Sequence, residues 1–125
     1  MSESHLQSAV VQYIKLQYPF IRYCATMGGQ YQPYKSQRMK MKHTGFVKGI
    51  PDLIIYEARG GYFGLFIEIK TLKGYATKEQ KQWIEDLNDR GYLACCLKGL
   101  DSIISAIDVY FKLPPTKQSN ESSKQ

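Results

Sequence analysis

The feature that most constrains the fold of this chain is the ending of one apolar stretch, Tyr62 to Lys70, in Ile67-Glu68-Ile69-Lys70. Side chains alternate along a strand, so Ile67 and Ile69 take one face while Glu68 and Lys70 take the other. Burial of the isoleucines then fixes which way the two charges point. Upstream, Pro51-Asp52-Leu53-Ile54-Ile55-Tyr56 reads as a second strand, entered through a proline that has no ladder donor to lose. Arg59-Gly60-Gly61 between them supplies a hairpin turn. Antiparallel pairing of the two strands brings the Asp52 and Glu68 carboxylates and the Lys70 ammonium together at one sheet edge.

The remaining segments supply layers for that sheet. Leu6, Val10, Tyr13, Ile14 and Tyr18 recur at helical spacing, with Ser2 or Ser4 as cap and Pro19 as terminator. Phe20 to Thr26 is a strand candidate, broken by Met27-Gly28-Gly29, and the chain to Gly49 reads as a long loop or irregular hairpin. Thr77 to Arg90 has helical periodicity, with Thr77 and Gln80 as a capping box and Gly91 as its stop. Gln80, Trp83, Ile84 and Leu87 share one side of that helix. Tyr92 to Leu97 is a strand, and Ser102 to Phe111 a last helix with Ile103, Ile104, Ile107 and Phe111 inward. The order α-β-β-β-α-β-α implies an α/β fold, a mixed β-sheet flanked by helices.

A chain of 125 residues with 43% hydrophobic content is expected to form a single domain, residues 1–113. Residues 114–125, opening on Pro114-Pro115 and then polar, are expected to be a flexible C-terminal tail. Neither a membrane span nor a secretory signal is expected, and Cys24, Cys95 and Cys96 lack the spacing of a zinc cage or a disulfide framework. These features suit a reducing, cytoplasmic compartment. The net charge of +6 is unevenly spread. No acidic residue lies between Glu3 and Asp52, whereas Lys35, Arg38, Lys40, Lys42 and Lys48 crowd one stretch together with Tyr31, Tyr34 and Phe46. Cations interleaved with aromatics suit a nucleic-acid backbone, and an ordinary solvated loop is the plainer reading.

Two carboxylates with open positions beside them suit Mg²⁺, or Mn²⁺, which keep several waters and take few protein ligands. The backbone carbonyl of Ile69 lies between Glu68 and Lys70 and offers a further oxygen. Such an ion activates water and neutralises a phosphodiester, while a lysine beside it orients the water or stabilises developing charge. Each piece alone has a simpler meaning. An acid-x-Lys triplet is commonly a surface ion pair, Pro-Asp a strand entry, and Thr77 with Gln80 a helix cap. Their joint order and spacing carry the argument.

That order, Gly49-Ile50-Pro51-Asp52-Leu53, then Glu68-Ile69-Lys70, then Gly74 with Thr77 and Gln80, resembles the VRR-NUC (virus-type replication-repair nuclease) branch of the PD-(D/E)xK nuclease superfamily. The likeness runs over about residues 3 to 98, and the opening Glu3-Ser4-His5-Leu6-Gln7 is similar to that branch's first motif. The resemblance implies that Asp52 and Glu68 bind the metal, that Lys70 serves the attacking water, and that Glu3 assists the metal site directly or through water. It places Gln80 at the margin, holding Lys70 or a phosphate. The segment Gly28 to Lys48 looks lengthened relative to the family. Stand-alone members resemble viral and bacterial proteins that act as homodimers on branched DNA such as four-way (Holliday) junctions, with no small-molecule cofactor. Tyr62, Phe63, Phe66, Tyr110 and Phe111 are candidates for a dimer face, with burial in the core as the competing role for Phe66 and Phe111. A flap- or end-directed nuclease and a non-catalytic nucleic-acid-binding module are the alternatives. A metal protein built on His5, His43 and the cysteines has no ligand spacing to support it.

Overall fold

A computed structural model describes residues 1–26 and 34–117. The expected break at Met27-Gly28-Gly29, Tyr31, and the tail from residue 118 onward lie outside the described residues. Four strands form one mixed sheet: β1 (Tyr23–Ala25), β2 (Leu53–Ile55), β3 (Leu65–Lys70) and β4 (Leu93–Lys98), in spatial order β1-β2-β3-β4. The first three pair antiparallel, and β3 pairs parallel with β4. Only a crossover permits a parallel neighbour, and α3 (Lys78–Asp89) provides it.

The apolar alternation expected along β3 is what builds the main core. Leu65, Ile67 and Ile69 face Leu53 and Ile55 of β2 together with Leu6, Val10 and Ile14 of α1 (Glu3–Gln17). Ile103, Ile107 and Tyr110 of α4 (Leu100–Lys112) complete this side. On the opposite face lie Ile54, Phe66 and Ala94, which are register partners across the sheet. There α3 is tied down by Asn88, whose side chain accepts from the Ala94 amide and donates to the Ala94 carbonyl, both at 2.9 Å. The expected capping box at the start of α3 is present, closed in both directions between Thr77 and Gln80. No helix among the described residues is long and apolar enough to cross a membrane.

Three expectations need correction. The basic stretch is not all loop: Lys35–His43 forms a further helix, α2, so the order is α-β-α-β-β-α-β-α. Its residues include no Gly, Pro or β-branched side chain, its last turn carries Lys40, Lys42 and His43, and Gly45 at φ +107° follows it. It buries no residue, so no hydrophobic period announced it. Second, Tyr110 is core rather than a dimer surface: it is 1% exposed, and its hydroxyl donates to the Glu57 carbonyl. Phe111 stacks on Tyr18 at 4.2 Å, and of the five candidate aromatics only Phe63 is largely exposed. Third, the start of the expected tail is anchored. The Gly60 amide donates to the Pro114 carbonyl, the Thr116 amide donates to the Ala58 carbonyl, and the Thr116 hydroxyl donates to the Tyr62 carbonyl.

Arg59 closes this end of the molecule. Its Nη1 donates to the carbonyls of Phe111 and Leu113 at 3.0 Å each, satisfying acceptors that the end of α4 leaves without intrahelical partners. Its Nε pairs with Glu57 at 3.0 Å. Arg59→Met keeps the aliphatic stem and removes every donor. It should lower unfolding free energy by about 1–3 kcal/mol in urea titration, the usual cost of stranding part-buried acceptors; an unchanged midpoint would remove Arg59 from this role.

Candidate active site

The chemistry-bearing side chains meet where β2 stops pairing with β3. The register sets Leu53 opposite Ile67, so one residue further Asp52 comes opposite Glu68. With no further backbone partner available, the Ile69 amide donates to the Asp52 carboxylate at 2.8 Å. A residue's N–H and C=O leave a strand on the same side, so the Ile69 carbonyl faces this opening as well. Oxygens of Glu3, Asp52 and Glu68 all lie within 4.8 Å of one another. Lys70 Nζ sits 3.2 Å from Glu68 Oε2 and 3.8 Å from Glu3 Oε1.

Glu3 stands in the first turn of α1, where Ser2 caps the helix by accepting from the His5 amide. A carboxylate there is favourable to the helix N-terminus, and it also reaches the site. Among the expected residues, Asp52, Glu68, Lys70 and Glu3 therefore converge. Gln80 does not join them. Its side-chain oxygen accepts from the Thr77 amide at 2.8 Å, and among the described residues no hydrogen bond links it to Lys70 or to a carboxylate. Lys48 is exposed and lies 4.0 Å from Glu79. On α2, Lys35, Arg38 and Lys42 share a face at helical spacing, whereas Lys40 falls on another side.

Three residues have positioning roles that the sequence reading did not assign. The Thr26 amide donates to the Asp52 carbonyl at 2.7 Å, and its hydroxyl donates to the Pro51 carbonyl at 2.8 Å. From the other side, Trp83 Nε1 donates to the Lys48 carbonyl at 3.1 Å. Gly49, at φ +99°, passes so close to α3 that a Cβ would stand 2.9 Å from Glu79. The chain entering Asp52 is thus clamped between the end of β1 and the first turns of α3. Only the Gly-x-Pro spacing hinted at this; Thr26 gave no signal.

Asp52, Glu68 and Lys70 are 8%, 1% and 7% exposed. Ionised groups so buried need partners, and Glu68 Oε1 has no hydrogen-bond partner among the described residues. Burial first, and the neighbouring Asp52 second, push the Glu68 carboxyl up to about 8. Burial pulls the Lys70 ammonium down, but Glu68, Glu3 and Asp52 together outweigh it and its pKa is raised. The excess of acid over base, the clustered hard oxygen donors and the orphaned Glu68 oxygen all fit a divalent cation.

Residues 3–100 match the VRR-NUC domain family. The chain belongs to that family. A solved structure described as a VRR_NUC domain protein is 37% identical, with a TM-score of 0.76, and the similarity covers 92% of each chain. No curated protein matches. The VRR-NUC assignment makes this a nuclease domain, and its mixed sheet with flanking helices is consistent with the PD-(D/E)xK fold.

The raised Glu68 pKa gives the metal-free VRR-NUC domain a defined pH response. The folded form holds a proton that the unfolded chain releases near its ordinary value of 4.5, so stability falls as pH rises from there towards about 8. Thermal melts in EDTA should show this decline, and Glu68→Gln should flatten it. A wild-type profile without slope across that window would contradict the buried, protonated carboxyl.

Proposed function

We propose that this VRR-NUC domain is a divalent-metal-dependent DNA endonuclease acting on branched DNA, such as four-way junctions, as a homodimer. The observation that supports it most is the meeting of three carboxylates within 4.8 Å beside the buried Lys70 ammonium. Asp52, Glu68 and the Ile69 carbonyl would hold Mg²⁺ or Mn²⁺, with Glu3 assisting directly or through water. When bound, the ion supplies positive charge to the phosphodiester and lowers the pKa of water.

The chain's own groups do the rest. Asp52 is held in place by the Ile69 amide. Glu68 would release its proton on holding such an ion. Lys70, kept charged by its acidic neighbours, is a donor rather than a proton acceptor. Its place is to orient the attacking water and to stabilise charge building on the phosphoryl oxygens. Gln80 serves by fixing the start of α3, whose first turns brace the Asp52 loop. The cations Lys35, Arg38 and Lys42 on one face of α2 bind the phosphate backbone, with Lys40 and Lys48 adding charge from other positions. A twofold dimer suits a four-way junction, because resolution requires two symmetric cuts.

Linear, flapped and four-way DNA offered with Mg²⁺, Mn²⁺ or EDTA test this directly. Paired symmetric nicks across the junction are expected with metal and no cleavage with EDTA. Asp52→Ala, Glu68→Ala and Lys70→Ala should each reduce cleavage by at least about a hundredfold, the scale for losing one charge-stabilising group, with DNA binding largely kept. Cutting by purified Asp52→Ala at the wild-type rate would defeat the assignment.

Joint substitution of Lys35, Arg38, Lys40 and Lys42 by glutamine should weaken binding and reduce its salt dependence, since each lost phosphate contact removes about one released counterion. An unchanged salt slope in anisotropy titrations would assign α2 to another task.

A further inference from the structure

Beyond the metal cluster, the C-terminal ends of β3 and β4 carry a second arrangement. Lys98 is the register partner of Lys70, so its side chain leaves the same face of the sheet one strand away. Its Nζ lies 3.5 Å from the centroid of the Tyr75 ring. Tyr75 is nevertheless 77% exposed, and no other ring among the described residues stacks on it. One face of the ring is held by an ammonium, and the other is open to solvent.

The position of this pair is fixed relative to the site. Tyr75 follows Gly74, whose would-be Cβ stands 3.4 Å from both Cβ and Cδ of Lys70, so the connection from β3 to α3 crosses directly over the Lys70 stem. The Gly74 amide donates to the Thr71 carbonyl at 3.0 Å and closes this turn. At its far side the Gly99 amide donates to the Lys70 carbonyl at 2.9 Å, which holds Lys98 level with Lys70. An exposed aromatic is usually left free to move. This one is pinned by a cation beside the residue that faces the scissile phosphate.

We propose that Tyr75 and Lys98 form a subsite for one unpaired nucleotide next to the scissile phosphate, its base stacked on the open face of Tyr75. The proposal rests on the nuclease reading above and narrows its substrate to DNA whose pairing is interrupted at the cut. An aromatic face accepts any base, because every base offers a π surface, and a stacked base inside a continuous duplex is not available to it. Lys98 fixes the ring and presents its charge to the adjoining phosphate. Selectivity for a branch then arises from local unpairing, without base-specific contacts.

The test separates the subsite from the metal chemistry by measuring binding and cleavage independently. Anisotropy of the full chain in EDTA reports binding to a paired duplex and to the same duplex bearing a single-stranded flap. Tyr75→Ala should weaken flap binding by about tenfold, the scale of one lost base–aromatic stack, and leave duplex binding unchanged. Tyr75→Phe should retain wild-type affinity. Lys98→Gln should lower the salt slope on the flap by about 0.7, the value for one single-strand phosphate. With Mg²⁺ or Mn²⁺, Tyr75→Ala should raise KM for the flapped substrate more than it lowers kcat. Equal effects on both DNAs, or a loss accompanied by a lower Tm, would make the pair a clamp for the loop and overturn the proposal. Failure of the wild type to cut any DNA would sink the nuclease reading, while the anisotropy comparison would still decide the subsite.

Discussion

The hydrogen bond from the Ile69 amide to the Asp52 carboxylate is the constraint on which the site depends. It forms because β2 ends its pairing with β3 at Leu53, leaving a strand donor that must find an acceptor. A side-chain carboxylate replaces the next rung of the ladder. Asp52 is thereby held opposite Glu68, its carboxylate within reach of those of Glu68 and Glu3. Thr26, Gly49 and Trp83 all act on the backbone that delivers Asp52 to this point. The site is assembled by ending a sheet early and filling the gap with charge.

Such an arrangement works against the stability of the metal-free fold. Two buried acids share one ammonium with a more exposed third, and one Glu68 oxygen has no hydrogen-bond partner among the described residues. Well-packed apolar side chains there would be no less stable, and often more so. The opposing contribution comes from the other face of the same strand, where Leu65, Ile67 and Ile69 are essentially inaccessible to solvent. One strand thus carries both the firmest packing and the least satisfied electrostatics. The alternation that separates them is strict, and a one-residue slip of register would exchange them.

That alternation also explains what the sequence made legible. Glu68 and Lys70 could be placed together because strand period is local, and Asp52 because Pro51 and the apolar run after it mark a strand entry. Glu3 came only from the family resemblance, since nothing local connects the first turn of α1 with a strand some sixty residues later. Tyr110 was misjudged because the apolar stripe of α4 runs through Ile103, Ile107 and Tyr110, and the acceptor for its hydroxyl, the Glu57 carbonyl, is remote in sequence. Gln80 was read both as a cap and as a site residue; its side-chain oxygen is committed to the cap. Thr26 and Gly49 act through tertiary contacts that no window of sequence contains.

The helix α2 differs in kind from the rest, for it contributes no side chain to either core. Nearly every position in β3 is answerable to neighbours on both sides, whereas α2 buries none of its residues. For that reason its surface charge can be altered by substitution without disturbing the packed interior beneath Asp52, Glu68 and Lys70.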